Sequence, residues 1–198
     1  MPSLKVYEAS SATRCMQKLA IVAILLVVLV CGCTGQGVQQ GTQSQTLITT
    51  APADMMPTRA DISSKKSTEF TIDGGVQDAT LAAAGFEGGK TMSTSKLEGS
   101  MGLITVDYTV YKFDTAENAK AWYDSRIGEI QANGGYKEVS ISGCFGWKED
   151  FGMQGEDGSS ICLTRNVVYV VGGNAAQTYV SIDSFMRDGT ALMKTKVV

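Results

Sequence analysis

The sequence predicts an α+β domain, an antiparallel sheet of about five to six strands with two main helices packed on one face. Three observations carry this reading. From Leu103 to Phe113, apolar Ile104, Val106, Tyr108 and Val110 alternate with Thr105, Asp107 and Thr109, the period of two that a half-buried strand requires. From Asp114 to Asn133, Ala116, Ala119, Tyr123, Ile127 and Ile130 recur at spacings of three and four, which puts them on one helical stripe. Strand-like segments also come in groups before each helix instead of alternating with helices one for one, and this favours an antiparallel sheet.

Taken in order, Glu69 to Ile72 reads as a short strand before Gly74-Gly75, and VQDATLAAA at 76–84 as a short helix ended by Gly85. Thr91 to Glu98 is a second strand, joined by a Gly99-Ser100 turn to the strand at 103–113. Asp114 caps the long helix, with Glu117 three residues on in capping-box register, and Gly134-Gly135 stops it. Trp122 flanks its apolar stripe and reads as core packing. Tyr136 to Ser142, Ser159 to Thr164 and Val167 to Val171 follow as strands. Arg165-Asn166 joins the last two; Asn tolerates positive φ and Arg does not favour it. The run VVYVV is apolar on both faces, so its strand is expected to be central and covered. Ala175 to about Lys194 is the final helix, with Ala175, Tyr179, Ile182, Met186 and Met193 in register and Gly189 weakening its last turns.

The N-terminal region reports location. Twelve apolar residues run from Leu19 to Val30 behind Lys18. A membrane-spanning helix needs roughly 20, so the run suits the apolar core of an export signal. Its end, Val30-Cys31-Gly32-Cys33, resembles the lipobox of prokaryotic lipoprotein signals. That resemblance implies that residues 1–32 are a signal segment, that Cys33 receives lipid, and that the remainder is held at a membrane on the extracytoplasmic side, at the cell surface or in the periplasm. Cys31 is a rival lipidation site, since Leu29-Val30-Cys31 also ends an apolar run. An uncleaved N-terminal anchor is the alternative to cleavage. Met16-Gln17-Lys18 forms a cleaner signal start than Met1, which would leave Cys15 out of the protein. Residues 33–66 read as a disordered polar tether, rich in Gln, Thr, Ser and Gly, with a reach on the order of 30 Å. Residues 67–198 then form a single domain.

Composition excludes several chemistries. The chain has no histidine, which removes Ser-His-Asp and Cys-His nucleophile systems and histidine metal sites. Of its 17 basic and 20 acidic residues, Lys5, Arg14, Lys18 and Glu8 lie in the leader, so the rest carries a net charge of −5. No basic patch appears, and nucleic acid is not an expected partner. Cys144 and Cys162 are the pair left beyond Cys33, and in an oxidising compartment they read as a disulfide.

Chemistry is sought at 145–160, read as a long loop between two strands with the disulfide at its base. It holds Trp147 and Phe151 as aromatic anchors, with Glu149 and Asp150 as charges at their rim, while Glu156-Asp157-Gly158 lacks the alternating ligands of a calcium loop. Glu149 with Glu156 is posed as a carboxylate pair of the glycosidase kind. Gly-Lys-Thr at 89–91 lacks the spacing and the leading strand of a phosphate loop. No catalytic residue, metal or cofactor is expected. The reading is a non-catalytic, membrane-anchored envelope or surface lipoprotein domain that binds a ligand or partner; a carboxylate-dependent envelope hydrolase is the alternative.

Overall fold

A computed structural model describes residues 46–64, 70–98, 102–176 and 180–198. The signal segment, both candidate lipidation cysteines, the first part of the tether and the Gly99-Ser100 turn lie outside the described residues. Among the described residues three α-helices accompany the sheet: α1 is Arg59–Ser64, α2 is Ala116–Asn133 and α3 is Asp183–Lys196. The strands are β1 (Thr71–Asp78), β2 (Phe86–Glu98), β3 (Gly102–Phe113), β4 (Lys137–Ile141), β5 (Cys144–Asp150), β6 (Gly155–Thr164) and β7 (Val167–Ala176). They form one seven-stranded sheet in the order β1-β2-β3-β7-β6-β5-β4, antiparallel throughout.

The α+β class and antiparallel sheet are as predicted, with one strand more. The helices, expected on one face, lie on opposite faces. Tyr111 of β3 meets Trp122 of α2, ring centroids 5.2 Å apart, whereas Gly189 of α3 packs against Tyr108 and Val171. Residues 108 and 111 point to opposite sides of an unbroken strand. The reason is in β7: Val167, Tyr169 and Val171 join the core beneath α3, while Val168 and Val170 join the one beneath α2. A strand apolar on both sides needs cover on both.

Four segment expectations are corrected. Residues 76–84 are not a helix: β1 continues to Asp78, Gly74-Gly75 falls at a break in its register, and Ala79 N–H donates to the Gly89 carbonyl. Pairing with β2 overrides the helix propensity of the alanines. The final helix begins at Asp183, because β7 runs on to Ala176 between β3 and β6. The cap of α2 is Thr115, whose hydroxyl accepts from Asn118 N–H at 3.1 Å, rather than Asp114. The later part of the expected tether is folded. Ile48, Met55, Met56 and Ile62 are buried with Met186 and Met193 under α3, and Lys196 pairs with Asp61 at 2.7 Å. Four large apolar side chains gave this polar stretch enough to bury.

Candidate functional site

The segment 145–160 is a hairpin, β5–β6, not a loop. Cys144 and Cys162 face each other across it and form a disulfide, Cα atoms 4.5 Å apart. That spacing suits a non-hydrogen-bonded antiparallel pair. The tip is a short 3₁₀ turn, Gly152–Gln154. Gly155 closes it at φ 112°, where an added Cβ would lie 1.8 Å from the Ala175 carbonyl oxygen, so only glycine fits there.

Alternation along β5 divides the predicted site. Phe145, Trp147 and Glu149 face the α2 side; Lys148 and Asp150 face the α3 side. Trp147 is half-buried and stacks on Phe145, centroids 5.7 Å apart at 28°. Glu149 is exposed and lies opposite Asp157. Asp150 holds the turn, accepting from Gly152 N–H at 2.9 Å and Lys137 at 3.4 Å, and these bonds lower its pKa. Phe151 is exposed near the tip. Trp147 and Glu149 therefore share a face that Asp150 does not, and the four do not converge.

Glu149 and Glu156 are also separated. Glu156 accepts from Lys148 Nζ at 3.0 Å, from the Ser181 hydroxyl at 3.0 Å and from Ile182 N–H at 3.1 Å, on the α3 side. Asp183 lies 2.9 Å from the same ammonium. Partial burial pulls the Lys148 pKa down, but its bonds to Asp183 and Glu156 outweigh that and raise it. This network staples the hairpin to the start of α3. The posed carboxylate pair does not exist.

Trp147 instead faces residues that the sequence did not assign to it. A groove of about 410 Å³ runs between α2 and the sheet, lined by Trp122, Arg126 and Glu129 from the helix and by Tyr111, Trp147 and Ser159 from the sheet. Both tryptophans of the chain line it. Trp122 packs edge-on to Tyr111 and tilted on Phe113, so the core-packing reading holds for one part of its ring. Arg126 Nη1 donates to Glu129 Oε2 at 2.9 Å at the groove's rim. Burial pushes the Tyr111 phenol upward.

Beyond the groove α2 stops, and among the described residues the sheet face is bare and polar. Thr91 and Thr109 share a hydroxyl hydrogen bond of 2.9 Å, and the Ser93 hydroxyl donates to Asp107. Burial, then the charges of Glu149 and Asp107, push the Asp157 carboxyl up against the lowering effect of Gly158 N–H. The opposite face is covered by α3, α1 and the segment around Ile48. A cleft with aromatic walls, a floor of Ile161, Val170 and the hydroxyls of Thr109 and Ser159, and the Arg126–Glu129 pair at its rim suits a ligand that offers both a flat apolar face and polar groups.

The fold and groove define a class: an α+β domain with a disulfide-bridged hairpin and one half-covered sheet face. No protein-family model matches the chain, and no curated protein matches it by sequence. Among solved structures, the extracellular domain of PknH from Mycobacterium tuberculosis is similar, with TM-score 0.57 and 10% identity over 74% of this chain and 96% of that one. At this identity the likeness is one of fold.

Proposed function

We propose that this chain is a non-catalytic extracytoplasmic domain, membrane-anchored through its N-terminal segment, that binds a ligand in the groove between α2 and the bare sheet face. The groove itself carries the reading, because a soluble domain has no packing reason to leave two tryptophans lining an open cleft. The disulfide and the fold likeness to an extracellular domain support the location. The N-terminal apolar run and V-C-G-C support the anchor, with Cys33 as the lipid site. Trp147 is the proposed anchor for the ligand. Glu149 is placed to set selectivity beside it, and Phe151 and Asp150 belong to a separate, tip-side contact.

Since both tryptophans line the groove, intrinsic fluorescence reports on it directly. Titration with envelope-derived glycans and peptides is expected to give a saturable change that Trp147→Ala removes, with the melting temperature little altered. A variant that melts early but binds as before would reduce Trp147 to a packing residue.

A further inference from the structure

We infer that a second cleft, between α3 and the edge strand β4, is an anion site that takes a phosphate-type group. The cleft measures about 340 Å³. Arg187, Thr190, Ala191 and Lys194 line it from α3, at the spacings of three and four that make one helical stripe. Ile141 and Ser142 form its other wall. Its lining contains no aspartate or glutamate.

The two cations differ from most others of the described residues. Lys90, Lys112, Lys120, Lys148 and Lys196 each have a carboxylate within 4.0 Å. Arg187 and Lys194 have no ion-pair partner among the described residues. Arg187 instead donates from Nε to the Ser140 carbonyl at 3.4 Å. Ser140 lies between the residues that hydrogen-bond to β5, so its carbonyl points outward from the sheet edge. That bond holds the guanidinium at the cleft, with the two terminal nitrogens as the remaining donors. A planar fork beside a lysine point charge is the pairing that phosphate oxygens favour. The apolar wall of Ile141 and Ala191 adds room for a short carbon body.

Position bears on the source of the phosphate. The Ser142-Gly143 turn is at the same end of the sheet as the Arg165-Asn166 turn, where Ile48 docks. The chain preceding Ile48 therefore leaves from the end that holds this cleft. The phosphate is either a lipid headgroup or a free solute. This cleft shares no lining residue with the groove beside α2.

The test is acylation of Lys194, followed by mass spectrometry on the full chain in neutral detergent micelles, with Lys120 as internal reference. One arm adds inorganic phosphate against sodium chloride of equal ionic strength; the other dopes the micelles with phosphatidylglycerol. At a phosphate level of twice its dissociation constant, Lys194 is expected to react about threefold more slowly, and Arg187→Gln and Ser142→Glu are each expected to abolish the protection. Protection by phosphate alone identifies a free anion, and stronger protection by phosphatidylglycerol identifies a headgroup; either supports the site. No protection beyond chloride in both arms, or protection unchanged in both variants, overturns it.

Discussion

Asn166 sits in a turn yet is buried, and its side chain explains why. Ile48 N–H donates to its Oδ1 at 2.7 Å, and its Nδ2 donates to the carbonyls of Phe113 at 2.8 Å and Ile48 at 3.3 Å. One amide thus joins the N-terminal segment, the end of β3 and the β6–β7 turn. Asn166→Ala would take the acceptor from the Ile48 N–H and this donor from two carbonyls, a loss of about 2–4 kcal/mol that urea denaturation measures. The sequence marked Asn166 as the residue able to take positive φ, but Arg165 takes it, at 53°. Asn166 is selected for its amide, and that requirement is invisible without Ile48 beside it. Asp61 is the other residue whose role is electrostatic. The Lys196 ammonium, then the Thr58 hydroxyl, hold its carboxyl at about 2, below the ordinary 3.8. A depressed folded value means the stabilisation is complete above the unfolded pKa and is lost as pH falls from about 4 toward 2. The pair is partly exposed, so Asp61→Asn is expected to cost only about 1 kcal/mol at neutral pH, with the gap to the parent protein closing across that acid window in pH-dependent melts.

At the scale of elements, β3, α2 and the middle of β7 were legible because burial imposes a period: two on β3, three to four on α2, none on β7. The missing strand, β5, hides its pattern. Its α3-side row is Cys144, Gly146 and Lys148, so a glycine and a lysine stand where apolar residues would signal a strand. Lys148 is tolerated there because Glu156 and Asp183 meet it, and neither contact is readable from order along the chain. The groove was half legible for a similar reason. Trp147 stood out among charges, but Trp122, Arg126 and Glu129 are brought to it only by the crossing of α2 over the sheet. The disulfide was legible from cysteine arithmetic. Replacing both Cys144 and Cys162 by Ala should cost about 3 kcal/mol for a loop of this length, seen as a lower melting temperature. The bridge lies on the α3 side, so groove fluorescence at low temperature should be unchanged in the same variant.

For the whole molecule, β7 decides the architecture. β1-β2-β3 and β6-β5-β4 are two meanders, and β7 is the strand that joins them. It bonds to β3 from Leu103 to Lys112 on one side and to β6 from Gly155 to Thr164 on the other. Removing residues 167–198 is expected to leave two unconnected meanders with no shared core, so a chain ending at Asn166 should show no cooperative unfolding transition and no slow-exchanging amides in hydrogen exchange. The same geometry sets a schedule. A chain made or translocated from its N-terminus presents six strands before the one that unites them, and the interior faces of all six stay wet until Ala176 has appeared. Folding of this domain is therefore a late event: union of the two meanders waits for β7, and cover over the core on its other face waits for α3 behind it. A protein that crosses a membrane while unfolded gains from that delay: the last strand to emerge acts as a latch that cannot shut early.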